Sequence, residues 1–104
     1  MNSEKVEYVK LVSGEDLLGE LVSESESQNT VVFKNMILIN YIPNSQGQVG
    51  VQMLPFPMAT EDEAEINFYR SALSIRAKPN ENFMHAYRER FGGIQVVKNP
   101  GIIV

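Results

Sequence analysis

The sequence predicts a mainly β domain: a small, strongly bent antiparallel barrel followed by one C-terminal α-helix. Three observations carry that prediction. Residues 9–35 (VKLVSGEDLLGELVSESESQNTVVFKN) hold short alternating apolar runs separated by turn residues. Gly19 lies inside the second run, where a glycine is costly unless the strand bends sharply or packs closely on another backbone. Helical spacing of apolar residues emerges only near residue 80, in ENFMHAYRERF.

The chain has 104 residues, which predicts one domain, with the barrel over about 5–78, the helix over about 80–91 and a tail over 92–104. It contains no cysteine and one histidine, His85, so disulfides and cysteine- or histidine-rich metal sites are excluded. No metal and no cofactor is expected. The first ten residues lack the apolar run of a signal peptide and no window approaches a membrane span, which predicts an intracellular protein with no membrane partner. A formal net charge of −4 opposes long-range attraction to nucleic acid, although it permits a local basic site.

Residues 5–12 read as the first strand, with Val9 and Leu11 on one face. Gly14 suits the positive φ of the turn that follows. In the second strand, residues 17–22, alternation separates Leu17, Gly19 and Leu21 from Leu18, Glu20 and Val22. SESESQN has no apolar anchor and reads as a loop. Residues 30–42 are long for one strand, which predicts a bend or bulge at Asn35. PNSQG at 43–47 is a turn, and residues 49–56 return beside the preceding strand. Residues 59–65 (ATEDEAE) form an acidic loop without the spacing or turn glycine of a calcium loop, so it reads as solvated. Short strands are expected at 66–69 and 73–77.

Asn80 is the expected N-cap of a helix over 81–91, with Phe83, Met84, Tyr87 and Phe91 on one face and Gly92-Gly93 as its stop. That helix is expected to cover an open barrel end with Phe83, Tyr87 and Phe91. A last strand is expected at 94–97, and NPGIIV as a loose end. His85, among polar neighbours, reads as a solvated or capping side chain.

Two stretches resemble the paired motifs of the Sm and LSm proteins. Leu11-x-x-Gly14-x-x-Leu17-x-Gly19-x-Leu21 followed by Asn29 is similar to the first motif, in which a glycine, a leucine two residues on and an asparagine ten residues on recur in order. Phe68-Tyr69-Arg70-Ser71-Ala72-Leu73-Ser74-Ile75 resembles the second motif and the Tyr-Lys-His-Ala-Ile-Ser segment of the bacterial Sm-like protein Hfq. Together they cover roughly half the chain. Several positions depart from the pattern. Sm proteins begin with a helix, whereas this helix comes last. Ser71 replaces the second-motif glycine, Ser25 replaces an acidic residue, and Ser27 stands where many members carry a base-stacking side chain.

The resemblance implies an SH3-type, five-stranded barrel that leaves two open edges, closed by head-to-tail pairing into a homo-oligomeric ring of about five to seven copies. That pairing would join the strand of Val49, Val51 and Met53 in one copy to the strand of Leu73 and Ile75 in the next. It also implies a site for single-stranded RNA, with Asn29 on a base edge, Arg70 on base or phosphate, and Ser27 and Ser71 beside them. The location implied is the cytoplasm of a bacterium, or of the host cell for a phage protein.

Two features count the other way. Ser27 cannot stack a base, a loss of roughly 1–3 kcal/mol per base, and Tyr69 is expected to face the core by alternation. Asn29 also reads as a plain turn residue, and Arg70 as one half of an inter-subunit ion pair. An adaptor ring without RNA affinity is therefore the alternative. No serine elbow, P-loop or dinucleotide glycine pattern occurs, so no enzyme activity is expected.

Overall fold

A bend at Asn35 organises the fold. A computed structural model describes residues 3–61, 63–91 and 101–102. Its strands are β1 (Val6–Leu11), β2 (Asp16–Ser25), β3 (Thr30–Pro43), β4 (Val49–Pro55), β5 (Glu65–Tyr69), β6 (Leu73–Ala77) and β7 (Gly101–Ile102), with one helix, α1 (Glu81–Phe91). Asn35 has φ +52°, a left-handed conformation that asparagine tolerates better than most residues. Beyond it β3 changes partner: Thr30–Lys34 pair with β5, and Ile37–Pro43 pair with β4. The sheet order is β6-β1-β2-β3-β4-β7, with β5 on β3 off that path.

The described residues form seven strands, against the five of the barrel that the resemblance implies, and β5 and β6 lie where short strands were expected. On the edge of β3 away from β2, β4 follows only the half beyond the bend, so the chain leaves β3 after Pro55 and rejoins its first half at Glu65, whereas β2 bends and pairs along both halves. The tail adds the other strand: Gly101–Ile102, expected as part of a loose end, pair with Gln52 and Val51 of β4. The strand expected at 94–97 lies outside the described residues.

Strand β2 bends with β3, and its register on β3 shifts between Leu18 and Glu20. Gly19 sits at that shift. A Cβ there would lie 2.8 Å from Met36 Cε and 3.0 Å from Met36 Cγ, so the missing side chain lets Met36 fold over the bend. Of the two reasons expected for a glycine here, the bend is the one found, and its close neighbour is the Met36 side chain.

Alternation divides the buried residues between two faces. Val9, Leu11, Leu17, Val31, Phe33 and Met36 form one cluster, to which Leu21, Ile66 and Phe68 add partly buried surface. Val6, Leu18, Ile37, Ile39, Val51 and Met53 form the other, with Met84, Ala86 and Tyr87 of α1. The helix thus packs on the strand surface that carries this cluster, with Phe83 and Phe91 partly buried beside Tyr87. Its apolar stripe is long enough to lie along β1–β4, and the strand alternation provides an apolar surface there. Asn80 caps it as expected: its Oδ1 accepts from the Phe83 N–H at 2.9 Å. Tyr87 donates its hydroxyl to the Asn35 carbonyl at 2.8 Å, tying α1 to the bend. Burial, then the Glu20 charge, pushes the Tyr87 phenol upward, so it stays protonated and donating.

Candidate nucleic-acid interface

Asn29, at the end of the first stretch, and Arg70, in the middle of the second, meet at one corner of the molecule. The β2–β3 turn is held locally: Ser25 Oγ accepts the Gln28 N–H at 3.2 Å and lies 3.2 Å from Ser27 Oγ. Asn29 closes the turn with φ +58°. From the other side, β5 reaches the corner by pairing Tyr69 with Thr30. The chain then turns through a single 3-10 turn, Arg70–Ala72, into β6. Arg70 donates its backbone N–H to the Asn29 carbonyl at 2.9 Å. The structure therefore brings Asn29 and Arg70 together through backbone, with Ser27 and Ser71 exposed beside them.

The Arg70 side chain is engaged inside its own chain. Its Nη2 lies 3.3 Å from Glu24 Oε1, and Arg76 Nη1 approaches the same oxygen at 2.7 Å. Arg76 also makes a two-pronged contact with Glu7, Nε to Oε1 at 2.9 Å and Nη2 to Oε2 at 3.0 Å. Two cations and two carboxylates thus run across β1, β2 and β6 as a formally neutral ladder. The Arg76 hydrogen bond holds the Glu24 carboxyl below its ordinary value, and the two guanidinium charges add to this. Among the described residues, Arg70 Nε is buried without a hydrogen-bond partner.

Tyr69 corrects an expectation. Its side chain points outward and is 70% exposed, while Phe68 turns inward. Neighbouring residues of a strand cannot share a face, and Phe68 takes the core position by packing edge-on against Phe33, centroids 6.2 Å apart. Tyr69 borders a cleft of about 480 Å³, lined also by Gln28, Thr30, Asn67 and Phe68. Gln28 and Asn67 were not singled out in the sequence. Each is a polar residue with no motif around it, and only the β3–β5 pairing makes them neighbours. Glu7, Glu24 and Arg76 escaped notice for the same reason.

The expected ring contacts fall into two groups. Val51 and Met53 are buried in the cluster under α1, and β7 pairs along the backbone at Val51 and Gln52. Val49 and Ile75 are exposed, and Leu73 packs partly against the other cluster. Among the described residues β6 pairs only with β1, so its other edge carries no strand.

The acidic loop borders a separate cleft of about 230 Å³, where Glu61 and Glu63 stand near Arg90 and Phe91 of α1. Among the described residues, no three carboxylate or imidazole groups are arranged to hold a metal ion. No described helix is long and apolar enough to cross a membrane. No protein-family model matches the chain, and no curated protein matches it either.

Proposed function

We propose that this chain is an Sm-like, ring-forming small barrel that binds single-stranded RNA at the Asn29–Arg70 corner. The observation that carries the reading is the 2.9 Å hydrogen bond from the Arg70 N–H to the Asn29 carbonyl. It joins two segments 41 positions apart, the very segments that resemble the two Sm motifs, and leaves Ser27, Gln28, Asn29 and Ser71 exposed around the joint. The strand order supports the barrel reading, because β6 lies beside β1 while β4 and β5 share the bent β3. Ring closure would use the free edge of β6 and the β4 edge around Val49–Met53. β7 sits on that second edge at Val51 and Gln52, so it must withdraw for a neighbour to pair there.

A specific observation favours the second reading, an adaptor ring without RNA affinity. Glu24 and Glu7 already neutralise Arg70 and Arg76, and the chain carries a net charge of −4. A polyanion would have to compete with Glu24 for Arg70.

Native mass spectrometry tests the ring, and titration of labelled oligo-U and oligo-A at low salt tests the ligand. Wild type is expected to bind, with Arg70→Ala weaker by about fivefold and less sensitive to salt. Salt-insensitive non-binding by both proteins would leave the adaptor reading standing.

A further inference from the structure

We propose that Tyr69, flanked by Gln28 and Asn67, is a stacking platform for one unstacked purine base of a single strand, an inference that rests on the RNA reading above. A large aromatic ring left 70% exposed at the end of a strand gains little from folding. Among the described residues its hydroxyl makes no hydrogen bond and its ring touches no other aromatic ring. Its backbone is nevertheless held. Tyr69 is paired with Thr30, and the next residue, Arg70, is bonded to Asn29. A ring carried on a fixed backbone, with only two side-chain torsions to lose, gives up little freedom when a base stacks on it, which is what a platform requires.

The chemistry of the cleft selects the ligand. Gln28 and Asn67 are exposed at the cleft, and each amide offers a donor and an acceptor but no charge. Such groups suit the neutral hydrogen-bonding edge of a base better than a phosphate. Arg70, the cation next to Tyr69, belongs to the Glu24 ladder, so binding at Tyr69 depends more on stacking than on charge. Stacking increases with ring area, which favours a two-ring purine over a pyrimidine. The platform supplies the aromatic face that Ser27 lacks.

Fluorescence anisotropy with labelled oligo-A, oligo-U and an abasic strand of equal length tests this. Oligo-A is expected to bind most tightly and the abasic strand most weakly. Tyr69→Ala should weaken oligo-A by about tenfold or more, while Tyr69→Phe stays within about twofold of wild type. The chain has no tryptophan, so Tyr69→Trp introduces a single reporter, whose emission oligo-A should quench and the abasic strand should not. Because Tyr69 is exposed, the variants should melt as wild type does, which circular dichroism checks. If Tyr69→Ala binds oligo-A like wild type while Arg70→Ala does not, the platform is refuted and the RNA reading survives. If wild type binds none of the three strands, both fall.

Discussion

The two faces of the bent sheet are buried by different means. Around Phe33 the strands cover themselves: the bends at Gly19 and Asn35 bring Val31, Leu17 and Val9 into one cluster with no helix involved. Around Ile37 the strands supply only half a core, and the eleven residues of α1 supply the rest through Met84, Ala86 and Tyr87. An isolated helix of that length is marginal in water, so α1 exists because it docks. The faces meet at Asn35, whose carbonyl receives the Tyr87 hydroxyl. Curvature makes the first core, therefore, and a borrowed surface completes the second.

The sharpest way to break the comparison is to remove one large ring from each face. Phe33→Ala and Tyr87→Ala should each cost about 3–5 kcal/mol in urea denaturation, since both rings are fully buried. Their signatures should differ. Tyr87→Ala should lose helical ellipticity and amide protection in α1 while β1, β2 and β5 keep theirs; Phe33→Ala should lower protection throughout. Equal loss everywhere in both variants would mean that the two faces are one cooperative core.

A smaller change sharpens the helix side alone. Asn80→Ala removes the cap on the Phe83 N–H and should destabilise by about 1 kcal/mol, chiefly in α1. An effect spread evenly over β5 would contradict the separation of the faces.

The smallest effect belongs to the rim that neither core covers. Glu24→Gln removes the carboxylate shared by Arg70 and Arg76 and should cost about 0.5 kcal/mol at neutral pH, because the pairs are partly exposed. Pairing lowers the folded carboxyl below its ordinary value of 4.5, so its contribution is present above that value and fades as pH falls through it. The gap between wild type and variant should therefore close in acid and narrow in high salt. A gap independent of pH would show that the carboxylate charge is not what matters.

Local signals in the chain were read accurately where local forces decide. Asn80 and the spacing of Met84 and Tyr87 marked the helix, because a cap and an apolar stripe act within a few residues. Asn44 and Gly47 marked the β3–β4 turn for the same reason: Asn44 Oδ1 accepts from the N–H groups of Gln46 and Gln48, and Gly47 has φ +79°. Alternation divided Leu17 from Leu18, but the expectation it gave for Tyr69, a core-facing side chain, is reversed in the structure, where Phe68 faces inward and Tyr69 outward. That choice was made by Phe33, 35 positions away from Phe68.

By itself, then, the sequence determined most of the elements, the bends at Gly19 and Asn35 and the apolar stripe of α1, all products of backbone preference and short-range periodicity; it did not mark β7, and it gave residues 23–25 as loop where β2 continues beside β3. Only the tertiary structure decided that α1 packs on the cluster around Ile37, that Gly101–Ile102 takes part of the β4 edge, that Glu24 holds Arg70, and that Tyr69 stands in solvent. Each of these depends on contacts between segments far apart in the chain, whose relative positions are set by how two bent strands pack and not by any residue's own propensity.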